Sequence, residues 1–206
     1  MKISVSILKK IDNYKDAIDI VNNTTCDYLH LDITDSTFTP TTSFNLDEFQ
    51  DITIYKPLDI HIMSSNLELQ VNRAINLNPE YITIQFEASK EIDKYINLIK
   101  SKGIKVGLAI NPKTRLWSIR KYLKQIDLLL IMSVKAGSGG QDFIPSVIRK
   151  LKRLKHKKKN FVVSIDGGIN EDTYKLVKDY VDIVVIGSYI TSSDNYEEQI
   201  KKIREI

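Results

Sequence analysis

The chain has 206 residues, of which 42% are hydrophobic and 27% are charged. This composition is typical of a globular protein and excludes disordered, collagen-like and disulfide-stapled chains, and the one cysteine, Cys26, excludes an internal disulfide and a thiolate zinc cluster. The formal net charge of +4 is local, because residues 149–159 hold eight of the 30 basic residues and no acid, leaving 22 basic against 26 acidic residues elsewhere.

The basic run (residues 149–159) is the feature that suggests a nucleic-acid partner. Apolar residues recur through and just before it at helical spacing, which predicts an amphipathic helix with its lysines in solvent; they are Val147, Ile148, Leu151 and Leu154. No aromatic side chain lies among these lysines, although base stacking would need one. We therefore expect a solvated helix face, which includes His156, and no nucleic-acid partner.

No apolar run approaches the roughly 18 residues that a membrane-spanning helix needs, so we expect no membrane partner. Residues 1–8 form a largely apolar stretch that becomes charged at Lys9 and Lys10, which is too early for a secretory signal peptide. These features predict a cytoplasmic protein whose first residues form a strand.

Eight short apolar or β-branched runs follow one another along the chain, with starts 20 to 34 residues apart. Most of them are almost continuously apolar, as is typical of parallel strands that are covered on both faces. Each interval is long enough for one crossover helix. The runs begin near Lys2, Asp27, Pro57, Tyr81, Ile104, Asp127, Phe161 and Val181.

Two of the intervals show clear helical periodicity. The first covers residues 89–102, with Ser89 placed as N-cap and Gly103 as the C-terminal stop, and the second opens at Asn170. Eight strand–helix units predict a closed (β/α)₈ TIM barrel, an α/β fold, formed as a single domain by residues 1–206. The structural alternative is an open doubly wound sheet, but no Gly-x-Gly-x-x-Gly follows the first strand.

Histidine and aspartate side chains lie near the ends of three predicted strands. His30 and Asp32 are two residues apart and face the same side of the second strand; Asp59 and His61 follow in the third, and Asp166 ends the seventh. The carboxyl ends of barrel strands converge at one mouth, so the imidazoles of His30 and His61 and the carboxylates of Asp32 and Asp166 are expected to meet there. Such a set suits Zn²⁺, Fe²⁺ or Mn²⁺; the alternative is a set of hydrogen-bonded strand-end groups.

Glycines are concentrated in three loops at the same end of the predicted barrel. Six of the eight glycines follow the sixth, seventh and eighth strands. Backbone N–H groups in such loops form an anion nest, and the loops after strands seven and eight are the usual phosphate site of this fold. The sequence therefore predicts a small phosphorylated substrate. The loop glycines are Gly137, Gly139, Gly140, Gly167, Gly168 and Gly187.

Six motifs resemble, in chain order, those of the ribulose-phosphate 3-epimerase family, and they span about residues 1–190. They are Ser6-Ile7-Leu8, His30-Leu31-Asp32, residues 58–63, residues 137–145, residues 166–170 and Gly187-Ser188. The family fold is a (β/α)₈ barrel, which agrees with the prediction from the strand pattern.

The resemblance implies a role for each motif residue. One divalent metal ion would be bound by His30, Asp32, His61 and Asp166. The carboxyl groups of Asp32 and Asp166 would serve as acid and base on opposite faces of the substrate, and Ser6 and His61 would contact the sugar. The residues that would bind the substrate, mostly through its phosphate, are Gly137, Ser138, Gly139, Gly140, Gly167, Gly168, Gly187 and Ser188. Family members often associate, so a homo-oligomer is a further expectation.

The leading hypothesis is a metal-dependent epimerase, an isomerase that interconverts D-ribulose 5-phosphate and D-xylulose 5-phosphate in the pentose phosphate pathway. Inversion beside a ketone needs one base on each face and stabilisation of the enediolate between the two proton transfers. The sequence departs from the family at residues 34–41, at Gln85 (usually His) and at residues 135–138. These positions surround the expected sugar site, whereas the expected metal ligands and proton-transfer residues match.

Three alternatives remain open. A D-allulose 6-phosphate 3-epimerase would use the same residues on a six-carbon ketose phosphate. A sister phosphate-binding barrel, either a decarboxylase or an aldol-type synthase, would need a lysine among the strand-end acids, where this chain has Asp59 and His61. A non-catalytic barrel would bind a sugar phosphate, or RNA through the basic run.

Overall fold

The computed structural model describes residues 1–137, 139–155 and 160–206. In these residues, parallel strands pair in chain order from β1 to β8, and β8 returns to β1, which closes the barrel. Each strand begins within two residues of its predicted start, so the predicted TIM-barrel fold is confirmed. The strands are β1 (Lys2–Ser6), β2 (Tyr28–Thr34), β3 (Leu58–Met63), β4 (Tyr81–Gln85), β5 (Lys105–Ile110), β6 (Leu128–Met132), β7 (Val162–Asp166) and β8 (Ile183–Ile186).

The helices lie outside the strands and cover the barrel. In the described segments they are α1 (Tyr14–Asn22), α2 (Leu67–Asn76), α3 (Ile92–Ser101), α4 (Ile148–Lys155), α5 (Glu171–Val177), α6 (Ser188–Thr191) and α7 (Tyr196–Glu205). The crossovers after β2 and β5 contain only the 3₁₀ segments Leu46–Phe49 and Leu116–Ile119, so they differ from the full helix that the spacing predicts.

Helix α5 begins where the sequence predicts, whereas helix α3 does not. Helix α5 begins after Asn170, as predicted, and Asn170 closes a capping box with Thr173. Helix α3 begins later than predicted, because Glu91 occupies the N-cap position and Ser89 instead accepts a hydrogen bond from the Glu91 amide (3.0 Å) in the preceding turn. Gly103 ends that helix with φ +72°, which is the left-handed conformation expected of a C-terminal stop.

The strands separate two layers of buried side chains. Outward-pointing residues such as Val5, Leu31 and Ile60 pack against the helices in a large apolar core. Inward-pointing residues alternate with them and form a smaller apolar cluster inside the barrel, which includes Met63 and Met132. Most inward positions of β2 and β3 are instead polar and buried; the polar ones are His30, Asp32, Thr34, Asp59 and His61. The interior is therefore markedly polar at β2 and β3.

Candidate metal and substrate site

Four side chains from three strands converge at the carboxyl end of the barrel. One ligand atom from each of His30, Asp32, His61 and Asp166 lies within 4.8 Å of the others. Parallel pairing of β2 with β3 places Asp32 directly beside His61. Asp166 comes from β7, which lies three strand positions from β2 around the barrel. The convergence that was predicted from the strand ends is therefore present.

The His30 ring is oriented by Asp59. Nδ1 of His30 lies 2.8 Å from Oδ2 of Asp59, which also accepts a hydrogen bond from the Ser4 hydroxyl (3.0 Å). Nε2 then faces Oδ1 of Asp32 at 3.3 Å. In the sequence Asp59 is the near neighbour of His61, whereas strand register pairs it with His30. A carboxylate on the far nitrogen is the usual support for a metal-binding histidine.

The His61 ring is oriented by a chain of groups that begins at Glu87. A carboxylate only accepts hydrogen bonds, so Gln85 must turn its amide nitrogen to Glu87, and its Oε1 then accepts from Nε2–H of His61 at 2.9 Å. This arrangement leaves Nδ1 of His61 as the nitrogen that faces Oδ1 of Asp32 at 3.3 Å. Glu87 is itself held by the backbone amide of Asn111 (2.9 Å). Gln85 therefore positions the His61 ring. The difference between Gln85 and the usual family residue did not reveal this role in the sequence.

Burial and neighbouring charges shift the pKa values of Asp32 and Asp166 in opposite directions. Burial alone would raise the pKa of Asp32, but the adjacent His30 and His61 rings outweigh it and hold that pKa below its usual value. Burial and the Asp32 carboxylate raise the pKa of Asp166 to about 7. Burial alone would lower the pKa of His30, but Asp59 and Asp32 raise it well above its ordinary value. These shifts share one cause, which is the crowding of carboxyl groups and imidazoles in a buried cluster.

The donor set fits a divalent transition-metal ion. Both imidazoles use one nitrogen on a supporting residue, Asp59 or Gln85, and turn the other toward Oδ1 of Asp32. Two nitrogen and two carboxylate donors suit Zn²⁺, Fe²⁺ or Mn²⁺ better than Ca²⁺, which takes oxygen ligands. The His/Asp cluster can therefore bind a metal ion.

A pocket opens above the cluster at the barrel mouth. Asp32 and Asp166 line it, together with Met63 and Met132, whereas His30 and His61 are at most 1% exposed and lie behind it. The predicted sugar contact of His61 therefore stays a prediction. Ser138 lies outside the described residues. The remaining predicted substrate-binding residues all line the pocket: Ser6, Gly137, Gly139, Gly140, Gly167, Gly168, Gly187 and Ser188.

The segment that differs from the family pattern, residues 34–41, begins at the last residue of β2 and packs beside this pocket. The Thr41 hydroxyl donates a hydrogen bond to the carbonyl of Gly137, and a Cβ on Gly137 would lie 2.5 Å from side-chain atoms of Thr39. Within the described part of the chain, none of residues 34–41 lines the pocket itself. This segment therefore contacts the loop after β6, which lines the pocket.

The basic run is helical over its described part. Leu151 and Leu154 of α4 are buried, whereas Arg149, Lys152 and Arg153 are exposed, as the helical spacing predicts. Residues 156–159, which include His156, lie outside the described residues. No helix in the described segments is long and apolar enough to span a membrane.

Comparison with known proteins identifies the family. The sequence model of the ribulose-phosphate 3 epimerase family matches residues 2–191. The chain belongs to this family. It is 34% identical over 202 residues to the ribulose-phosphate 3-epimerase of Buchnera aphidicola subsp. Baizongia pistaciae, covering 93% of this chain and 88% of that protein. It is 33% identical to that of Helicobacter pylori strain J99, covering 100% and 98%.

Membership of the ribulose-phosphate 3-epimerase family makes this chain an isomerase of the epimerase type. Among solved structures, the 3-hexulose-6-phosphate synthase from Salmonella typhimurium superposes with a TM-score of 0.68, covering 100% of this chain and 97% of that one. At 17% identity, this likeness shows the shared barrel fold alone.

Proposed function

We propose that residues 1–206 form a single-domain, metal-dependent epimerase that inverts C3 of a ketose phosphate, interconverting D-ribulose 5-phosphate and D-xylulose 5-phosphate. One observation carries the proposal: the carboxylates of Asp32 and Asp166 line one pocket from strands that lie three positions apart around the barrel. The names of the homologous epimerases support the choice of substrate.

The two carboxyl groups supply the two proton transfers. Inversion removes the C3 proton on one face and returns a proton on the other, so one carboxylate acts as base while the other carboxylic acid acts as donor. Their protonation states are exchanged after each turnover, and the reverse reaction begins from the exchanged state. Asp32 and Asp166 therefore have equivalent roles, one for each direction.

Ser6 fixes the position of the Asp32 carboxylate. Its hydroxyl donates a hydrogen bond to Oδ2 of Asp32 at 2.9 Å, while Oδ1 of Asp32 faces the two imidazoles. Both Ser6 and Asp32 line the pocket. A carboxylate held through both oxygens keeps its orientation toward the substrate, and this preorganisation favours proton transfer.

The metal would be held by His30, Asp32, His61 and Asp166, as Zn²⁺, Fe²⁺ or Mn²⁺. When bound, such an ion supplies Lewis-acid stabilisation of the negative charge that develops on the substrate oxygens during enolisation. The backbone amides of the glycine loops after β6, β7 and β8 would bind the phosphate, at a distance from the reacting carbon. The phosphate contacts would position the sugar with C3 between the two carboxyl groups.

The assignment of the two bases is tested by Asp32→Asn and Asp166→Asn, with the exposed Asp51→Asn as control. We expect each site variant to lose epimerisation of D-ribulose 5-phosphate by about a thousandfold or more, whereas the control keeps the wild-type rate. Circular dichroism and bound-metal content separate a lost base from a lost fold or ion. Near wild-type turnover in either site variant would overturn the two-base assignment. A higher kcat/KM for D-allulose 6-phosphate would move the substrate to the six-carbon alternative.

A further inference from the structure

The pocket walls carry little positive charge for a site that would hold a phosphate. Among the described lining residues, the charged side chains are Lys9, Asp32 and Asp166. Two of these three groups are the carboxyl groups at the centre of the proposed chemistry. Lys9, on the 3₁₀ segment Leu8–Asn13 that follows β1, is thus the cation that the described part of the pocket offers to an anion.

The Lys9 side chain lies along the glycine loop that follows β6. A Cβ on Gly139 would lie 3.3 Å from Cγ of Lys9, and a Cβ on Gly140 would lie 3.0 Å from Cε and 3.1 Å from Nζ. The absence of side chains at Gly139 and Gly140 therefore lets the lysine stem rest on the loop backbone. This contact brings the ammonium group to the part of the pocket where loop amides would bind a phosphate.

Lys9 differs from two lysines on the outer surface, Lys94 and Lys121, which both form ion pairs. Lys94 pairs with Glu68 at 2.6 Å, and Lys121 pairs with Asp93 at 2.9 Å. For Lys9, the structure gives no hydrogen bond or ion pair to any of the residues that it describes. Its ammonium group is therefore available to an anionic ligand, and binding that ligand would not first require breaking an internal ion pair.

We propose that Lys9 is a substrate-binding residue whose ammonium group binds the phosphate dianion of the substrate beside Gly139 and Gly140. The identity of the substrate rests on the proposed function. Lys9 would add a full positive charge to the partial charges of the loop amides. Because the phosphate keeps its charge throughout the reaction, Lys9 would stabilise the ground state and the transition state equally. Its loss would then raise KM and leave kcat unchanged.

The test compares Lys9→Met with Lys10→Met, which removes the neighbouring charge of the same 3₁₀ segment from a side chain outside the pocket lining. Binding of inorganic phosphate to the metal-loaded proteins is measured by isothermal titration calorimetry. We expect Lys9→Met to raise the Kd for phosphate about tenfold, the size of one charge-assisted hydrogen bond. Lys10→Met is expected to bind like the wild type, and Lys9→Arg to keep most of the affinity.

Steady-state kinetics with D-ribulose 5-phosphate provide the second measurement. Lys9→Met should raise KM by a similar factor, with kcat within about twofold of the wild type. Equal phosphate affinity in wild-type and Lys9→Met proteins, or an equal loss in Lys10→Met, would overturn the proposal. Calorimetry does not depend on turnover, so a protein that binds phosphate through Lys9 but does not epimerise the substrate would contradict the proposed function alone.

Discussion

Two histidines in this site depend on neighbours that are not themselves expected to bind the ion. His30 donates to Asp59, and His61 donates to Gln85, which Glu87 holds in turn. These contacts decide which ring nitrogen keeps its lone pair for a metal. Gln85 differs from the usual family residue but can still support His61, because its amide oxygen accepts from His61 while its amide nitrogen donates to Glu87.

We predict that Gln85→Leu weakens binding of Zn²⁺ or Mn²⁺ by about 10- to 100-fold, the range typical of lost support for a metal-binding histidine. The physical reason is that Nε2–H of His61 loses its acceptor, and the ring is free to change its orientation and tautomer. Gln85→His, which restores the residue usual in the family, is expected to keep the affinity. Competition with a chelating dye measures all of these affinities.

Thr83→Val is the matched control for the Gln85 variants. Thr83 is the inward-facing residue two positions before Gln85 on β4, and its buried hydroxyl has no hydrogen-bond partner among the described residues. Replacing this hydroxyl by a methyl group should leave metal affinity unchanged. Metal affinity in Gln85→Leu equal to that of the wild type would contradict the positioning role.

The start of helix α5 connects the stability of the barrel with the shape of the pocket. The Asn170 side chain accepts from the amides of Asp172 and Thr173, both at 3.0 Å. The Thr173 hydroxyl donates to the carbonyl of Gly168 at 2.9 Å, and Gly168 lines the pocket. One capping box therefore fixes both the first turn of the helix and the glycine loop after β7.

We predict that Asn170→Ala lowers the free energy of unfolding by about 1 kcal/mol, the usual effect of removing an N-cap side chain. Asn170→Asp should keep the stability of the wild type, since a carboxylate accepts the same two amides and favours the helix N-terminus. Urea unfolding followed by circular dichroism measures both variants. If Asn170→Ala unfolds at the wild-type urea midpoint, the cap contributes nothing to the fold.

Element boundaries could be predicted only where a local signal determines them. Asn170 precedes two acidic residues and a threonine, a local pattern that ends in the observed cap. Ser89 has the residue type of an N-cap, but α3 starts at Ile92. There the Ser89 hydroxyl accepts from the Glu91 amide and closes a turn before the helix instead of capping it. The same limit applies after β2, where the spacing has room for a helix and the chain forms a 3₁₀ segment instead.

The complete barrel could be predicted because eight apolar runs leave few other ways to bury strands on both faces. The metal cluster followed from the convergence of strand ends, which needs no knowledge of register. The His30–Asp59 and His61–Gln85 contacts could not be derived, since they depend on the register between neighbouring strands. A slip of one residue would turn the side chains of a strand to its opposite face. The approach of Lys9 to Gly139 and Gly140 depends on the closed order of all eight strands.

The central claim, two-base epimerisation at C3 supported by a metal ion, is tested most directly by NMR of D-ribulose 5-phosphate in D₂O. We predict that the metal-loaded protein incorporates deuterium at C3 and forms D-xylulose 5-phosphate. A chelator should abolish both, and Zn²⁺, Fe²⁺ or Mn²⁺ should restore both. Deuterium exchange without the epimer would contradict the second base. Metal-loaded protein that gives neither exchange nor epimer would contradict the proposed reaction.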